Sequence, residues 1–368
     1  MTLDTINTLP YEITSQIISY LDVTSLCRLS QTSSIWFHLV RSNDIWRREA
    51  IACFEPKTVT MDWYELYKHH TILNRRWELG HAATHHLMGH QDSVYCLQFD
   101  QTLLVTGSRD RTIQIWDLEH YQSIHTLYGH QGSVLCLKYD QAILVSGSSD
   151  TSVIVWDMRT LQPIMQLNAH TESVLDVCFD QHYIVSCSKD HTICIWDRMT
   201  GQLIRKIMAH RGPVNAIQLV NHRLVSASGD GLIKMWDIET GECLHKYAGH
   251  TRGLACVAFD GHRIVSGSSD KTIKVWDAQS GQCLLSCEGH TDLVRALSID
   301  QDRIVSASYD QTIRVWDIKT GTCALKFESG HSSWIFDVQL NATKIVSASQ
   351  DQRILVMDFA AGLNLYTN

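Results

Sequence analysis

The sequence predicts an all-β propeller of seven four-stranded blades, preceded by a small α-helical domain and a helical linker. Three observations carry this. A Gly-His or Ala-His pair recurs with its histidines at His90, His130, His170, His210, His250, His290 and His331, 40 residues apart and 41 at the last step. Trp-Asp recurs in phase at Trp116, Trp156, Trp196, Trp236, Trp276 and Trp316, and Met357-Asp358 takes its place in the seventh unit. The residues before His81 lack both signals and instead carry apolar residues at helical spacing. A period of this size marks one supersecondary unit per repeat. No such unit buries its own apolar face, so the units must stack.

The helical part comes first. Leu9-Pro10 opens a helix, since proline suits a first helical turn. Ile13, Ile17, Ile18 and Leu21 then fall on one face. Asp22-Val23-Thr24-Ser25 breaks that pattern, and Leu26, Leu29, Ile35, Trp36 and Leu39 form a second apolar series. Asn43-Asp44 breaks again before Ile45-Trp46. A unit this small cannot bury so many apolar groups unaided, and an apolar patch is left for a partner. The alternative is a helical cap packed on the propeller. Residues 62 to 79, with Trp63, Leu66, Tyr67, Leu73 and Trp77, read as a linker helix, which is semi-rigid. The expected boundaries are 5–50 for the helical domain, 51–83 for the linker and 84–360 for the propeller.

The unit from His250 to Asp277 shows how a blade is written. Leu254 to Phe259 is a strand, Asp260-Gly261-His262 a turn, Arg263 to Ser268 a second strand, Ser269-Asp270-Lys271 a tight turn and Thr272 to Trp276 a third strand. Ser280-Gly281-Gln282 leads to the outer strand Cys283 to Ser286. The last unit ends at its third strand, and residues 84–88 have no blade of their own, so they supply the missing fourth strand and close the ring without a free edge.

Composition bounds the rest. The chain has 368 residues and a net charge of −8, which argues against nucleic-acid binding over a whole domain but leaves room for a local basic pocket. No apolar run has the length of a membrane span, and no signal peptide is visible, so the expected location is the cytoplasm or nucleus. Of the twelve cysteines, Cys96, Cys136, Cys178, Cys194 and Cys256 lie in strands as small core residues, and no spacing suggests a metal site or disulfide frame. No cofactor is expected. The chain offers no phosphate loop, no nucleophile–base pair outside the repeated residues and no metal-ligand spacing, so it is not expected to be an enzyme.

The repeats resemble the WD repeat. That resemblance implies a hydrogen-bonded chain in each blade through the loop histidine, a Ser/Thr of the second strand, the turn Asp and the Trp: His90, Thr106, Asp110 and Trp116 in the first unit, and His250, Ser266, Asp270 and Trp276 in the fifth. The seventh unit has His331, Ser347 and Asp351 but Met357 at the Trp position, and should be the least rigid. In residues 5 to 50, Leu9-Pro10-Tyr11-Glu12-Ile13, Ile17-Ile18-Ser19-Tyr20-Leu21-Asp22, Ser25-Leu26-Cys27-Arg28-Leu29, Trp36 and Trp46-Arg47 resemble an F-box. An F-box implies docking on the Skp adaptor, and through it on a cullin, a RING protein and a ubiquitin-conjugating enzyme. The residues implied to meet the adaptor are Leu9, Pro10, Ile13, Ile17, Ile18, Leu21, Leu26, Leu29 and Trp36.

An F-box followed by seven WD repeats is similar to the substrate receptors of SCF ubiquitin ligases. Segments such as Val94-Tyr95-Cys96-Leu97-Gln98, Arg252-Gly253-Leu254-Ala255-Cys256, Leu293-Val294-Arg295 and Tyr309-Asp310 resemble the beta-TrCP (beta-transducin repeat-containing) family. The resemblance implies a doubly phosphorylated degron of the Asp-Ser-Gly type on one face. Tyr95, Arg109, Ser133 and Ser149 would hold one phosphate, and Arg252, the backbone of Gly253 and Ser269 the other. Arg295 and Tyr309 would meet the degron's acidic residue, and Leu135, Leu175, Asn215, Gly229, Ala255 and Leu293 would line the channel mouth. Arginine suits phosphate because its planar fork binds oxyanions in a bidentate, charge-assisted way. The chain departs from that family at Trp334, where an arginine is expected, so the acidic contact is weakened and an apolar partner residue is the alternative. The short segment before the F-box leaves no room for a dimerisation region, so a monomer is expected within the complex. A Cdc4-like receptor, a receptor of the fungal sulfur-regulator group and a ubiquitin-independent scaffold stay open as alternatives.

Overall fold

The computed structural model describes residues 11–54, 62–300, 302–328 and 330–365; Leu9 and Pro10 lie outside them. The chain divides into two compact units, residues 1–82 with 359–368, and residues 83–358.

The first unit is helical. α1 (Tyr11–Ile18) leads to α2 (Val23–Ser30), α3 (Ser34–Val40), α4 (Asn43–Phe54) and α5 (Trp63–Leu79). The second apolar series is two helices, because Ser33 caps α3: its Oγ accepts from the N–H of Trp36 at 3.3 Å. Asp22 caps α2 in the same way, taking the N–H of Ser25 at 3.1 Å. Ile18, Leu26, Trp36, Val40, Ile45 and Trp46 form the core, and the Trp46 indole donates to the carbonyl of Val40 at 2.6 Å. α5 ends on Gly80 at φ 70°, a left-handed cap that glycine adopts at low cost. The tail of the chain returns to α5. Phe359 stacks on Trp77 at 3.8 Å, and Arg76 donates to the carbonyls of Phe359 and Ala361 at 2.8 Å each.

The second unit is a propeller of seven four-stranded antiparallel sheets. In six blades the strands follow chain order. In the last, β1 (Ala83–Met88) pairs with Arg353–Asp358, from Ala83 opposite Asp358 to Met88 opposite Arg353. The first strands of the blades are Val94–Phe99, Val134–Tyr139, Val174–Phe179, Val214–Val220, Leu254–Phe259, Val294–Ile299 and Ile335–Leu340. Apolar side chains of neighbouring blades share cores. Val225, Ile233, Met235 and Tyr247 of blade 4 pack with Leu254, Val257, Phe259 and Trp276 of blade 5. Val346, Ala348 and Ile354 of blade 7 pack with Val94, Leu97 and Trp116 of blade 1.

The repeated polar residues sit inside each blade. In blade 5 the Trp276 indole donates to Ser266 Oγ at 2.9 Å, Ser266 Oγ lies 2.8 Å from His250 Nε2, and His250 Nδ1 lies 2.8 Å from Asp270. A neutral imidazole protonated on Nδ1 satisfies every member: the Ser hydroxyl donates to Nε2 and Nδ1–H donates to the carboxylate. Burial holds His250 below its usual range against the upward pull of Asp270. Blade 7 keeps His331 at 2.9 Å from Ser347, with Met357 buried where the other blades have the indole.

Candidate functional site at the channel mouth

The site is built by seven β-bulges. In every blade the first strand slips by one residue against the second, between Val94 and Cys96 in blade 1 and between Ile335 and Asp337 in blade 7. The extra residues are Tyr95, Leu135, Leu175, Asn215, Ala255, Arg295 and Phe336. A bulge re-aims the side chain it frees, and all seven line one central cavity of about 470 Å³. Leu135, Leu175, Asn215 and Ala255 line this channel, and Tyr95 and Arg295 join them.

A second ring lies outside the first. The residue before each turn Asp donates its N–H to a carbonyl of the first-strand loop: Arg109 to Ser93, Ser149 to Ser133, Lys189 to Ser173, Gly229 to Pro213, Ser269 to Gly253, Tyr309 to Leu293 and Gln350 to Trp334, all within 2.9–3.0 Å. Gly229, Leu293 and Trp334 belong to this rim and are not among the residues lining the cavity.

The cations of the rim have different surroundings. Arg109 Nε lies 3.7 Å from Asp92, and Lys189 Nζ lies 3.9 Å from Glu172, with all four side chains exposed. Such pairs contribute little and yield to a better anion. In blade 5 the position of Asp92 and Glu172 is held by Arg252, which is exposed. Beside it, a Cβ on Gly253 would lie 2.9 Å from the carbonyl oxygen of Gly229, so only glycine permits this approach of blade 5 to blade 4. Ser149 Oγ already accepts from the N–H of Ser133 at 2.8 Å, leaving its own proton for a ligand.

One quadrant concentrates aromatic and cationic groups. Trp334 stacks on Tyr309 at 4.6 Å and 8° and is 45% exposed. Tyr309 meets Phe336 edge-on, and Phe336 meets Tyr95 at 4.9 Å. Desolvation pushes the Tyr95 phenol up, offset by Arg109 and more weakly by Arg295, and the ring contacts join blades 1, 6 and 7 in one cluster. Ser133 and Ser149 of blade 2, and Arg252, Gly253 and Ser269 of blade 5, form separate groups on the rim.

Sequence reasoning missed the charged floor of the channel. Asp337 accepts from the N–H groups of Leu97 and Val338 at 2.8 Å each, and Asp176 accepts from Ile217 and Val177 at 2.8 Å each. Burial raises both carboxyls, Asp337 to about 6, while Lys138 and Arg295 pull them down. The signal was present in the repeat: the corresponding positions are Cys96, Cys136, Ala216, Cys256 and Ala296, so an Asp there is an outlier. Asn215 has a bracing role, its side-chain amide donating to the carbonyl of Leu254 at 2.6 Å.

In the helical unit Ile18, Leu26 and Trp36 of the predicted adaptor surface are buried in the core, and Leu21 and Leu29 are half-buried and pack against it. Each is held there by the packing of short helices around Trp46. Among the described residues of this unit, the exposed large apolar side chains are Ile13, Ile17, Tyr20, Ile35, Phe37, Ile51 and Leu79. No helix among the described residues is long and apolar enough to cross a membrane.

Comparison with known proteins places this architecture. Residues 6–51 match the F-box-like family, and residues 82–117, 121–157, 161–197, 201–237, 241–277 and 281–317 match the WD domain, G-beta repeat family. The repeat matches cover more than half of the chain, which therefore belongs to the WD-repeat family. Among individual proteins, it is similar to the "Probable E3 ubiquitin ligase complex SCF subunit sconB" of Arthroderma otae, 30% identical over 155 residues, 32% of this chain and 23% of that protein. It is also similar to an F-box protein of Saccharomyces cerevisiae, 31% identical over 150 residues, 32% of this chain and 23% of that protein. The matches thus span about a quarter of those relatives' length. The crystal structure of the computationally designed Ika8 protein superposes with a TM-score of 0.62 at 30% identity, covering 74% of this chain and 98% of that one.

Proposed function

We propose that the chain is a substrate receptor of an SCF-type ubiquitin ligase in the cytoplasm or nucleus, and that its propeller mouth binds a doubly phosphorylated, acidic segment of the Asp-Ser-Gly type. The observation that carries the reading is the convergence of Tyr95, Arg109, Arg295 and Tyr309 at the channel mouth of a chain whose net charge is −8. Local positive potential on an acidic protein selects anionic segments and rejects polyanions such as nucleic acid. Arg252 with Ser269 supplies a second anion-binding group on the same rim. The helical unit docks the Skp adaptor through Ile13, Ile17 and their exposed neighbours, and the adaptor connects to cullin, RING protein and conjugating enzyme. The receptor itself performs no chemistry. It holds the substrate near the charged conjugating enzyme, which raises the effective concentration of the acceptor lysine. The names of the sconB relative and of the Saccharomyces F-box relative support this reading.

Trp334 shapes the ligand. It covers Tyr309, so the acidic residue of the segment meets Arg295 alone, beside an apolar shelf. The test is a fluorescence-anisotropy titration of the chain, co-expressed with a Skp adaptor, against one Asp-Ser-Gly peptide in doubly phosphorylated and unphosphorylated forms. Only the phosphorylated form is expected to bind. Replacing Arg252 and Arg295 with Ala should cost about 2–5 kcal/mol of affinity without unfolding the propeller. Unchanged affinity in that variant would exclude the mouth as the binding site.

A further inference from the structure

We propose that the outer part of blade 6 holds a separate anion site for a phosphate- or sulfate-class oxyanion, built on Arg314 and Lys326. The site is a pocket of about 360 Å³, lined among others by Thr291, Gln311, Arg314, Lys326 and Glu328. It shares one turn with the channel mouth: Tyr309 stacks with Trp334 at the mouth, and Gln311, two residues on, lines the pocket. The inference does not depend on the function proposed for the mouth.

Three features of the pocket call for an anion. Arg314 and Lys326 are directly opposite in the register of the third and fourth strands of the blade, so two like charges face each other on one side of the sheet. Such a pair is destabilising unless a counter-charge lies between. The Nε of Arg314 is buried with no hydrogen-bond partner among the described residues. Among the described residues its Nη1 finds the weak acceptor Cys323 Sγ at 3.9 Å, and the guanidinium lies 5.9 Å over the Trp316 ring. A buried guanidinium N–H left unpaired carries the full cost of its desolvation.

Two cations at comparable positions find carbonyl partners. Lys206 in blade 3 and Lys234 in blade 4 donate at 2.6 Å to the carbonyls of Ala169 and Ala209. Asp310, also on the pocket wall, keeps its charge, but among the described residues it makes no ion pair with Arg314 or Lys326, unlike Asp190, which lies 3.5 Å from Lys206 in blade 3. The two oxygens of Asp310 are held by His290, the N–H of Thr291 and both the N–H and hydroxyl of Thr312, all within 2.7–2.9 Å. Glu328 lies 3.3 Å from Lys326, with its side chain 85% exposed, and acts as a weak internal competitor. A guanidinium fork beside an ammonium group matches a tetrahedral oxyanion, which accepts from both at once.

The test is isothermal titration calorimetry of the full chain with inorganic phosphate and with O-phospho-L-serine at constant ionic strength. It is run on an Arg109→Gln/Arg252→Gln/Arg295→Gln background, so that the mouth contributes no heat. Phosphate binding is expected to persist on this background and to weaken about tenfold or more on adding Arg314→Gln. Lys326→Gln should repeat the loss from a half-exposed position that leaves the core intact. Glu328→Gln should strengthen binding severalfold, an effect of opposite sign that a loss of folding cannot mimic. Phosphate and phosphoserine binding together would assign the site to a phosphorylated side chain, and phosphate alone to the free ion. Heats that are the same with and without Arg314, or no heat from either probe, would overturn the proposal.

Discussion

The carboxyls of Asp337 and Asp176 stand apart from the other aspartates of the ring. The turn aspartates accept from histidines, backbone N–H groups and hydroxyls, and these contacts hold them low, Asp351 at about 2. A carboxyl lowered in the folded state contributes stability that is present above its unfolded value of 3.8 and is lost as pH falls below it. Asp337 has the opposite sign. With its folded value raised to about 6, the folded chain binds more protons than the unfolded chain between about pH 4 and pH 6, so its contribution falls as pH rises through that window. We predict that Asp337→Asn removes this decline. Urea unfolding midpoints of wild type and variant should differ more at pH 7 than at pH 4.5, because the neutral amide matches the protonated carboxyl. A constant difference would show that Asp337 is ionised throughout. The composition of the ring at this position was readable from the repeat, but its burial was not, because burial follows from how seven first strands converge.

At the scale of the element, the bulge in each first strand is what makes a site from a scaffold. Regular pairing would direct alternate residues of these strands to opposite faces. The slip frees one residue per blade and turns it toward the axis, giving the ring from Tyr95 to Phe336. Arg295 becomes a channel residue for this reason. The closing strand β1 shows the same dependence on long-range pairing. Its Leu87 is 3% exposed and packs in the core shared by blades 7 and 1. Leu87→Ala is expected to cost about 2–5 kcal/mol and to raise hydrogen exchange first in Arg353–Asp358, the strand that β1 covers. Blade 7 also lacks the indole donor of the other six, so opening should begin there and not spread evenly round the ring. Equal protection in all blades after the substitution would argue against this order.

At the scale of the molecule, the two units divide the work proposed for the chain. The helical unit leaves Ile13 and Ile17 at 47% and 45% exposure while it buries Ile18 between them and the remaining helices. Replacing Ile13 and Ile17 together with Glu should abolish co-purification with a Skp adaptor and leave the melting transition of the propeller unchanged. Retained adaptor binding would move the interface to another face of the unit. The tail beyond residue 358 belongs to the helical unit, where Phe359 and Arg76 tie it to α5. The chain therefore passes between the units twice, at residues 82–83 and 358–359. Nothing in the apolar periodicity announced the second passage, since Phe359 follows the last strand without a break.

The sequence by itself determined the number of blades, their polar networks, the closure of the ring by residues before the first histidine, and the presence of a distinct helical module. All of these follow from local patterns or from a fixed period, and each repeat states them again. It also offered candidates for the mouth, through a family resemblance laid onto seven equivalent positions. Only the tertiary structure decided which of them face the channel and which form the rim, since a one-residue slip reverses the direction of a side chain. It alone decided that Ile18, Leu26 and Trp36 turn inward, because helical spacing defines a face but not what the face meets. It alone placed Arg314 opposite Lys326, a neighbour relation set by strand register and not by sequence distance.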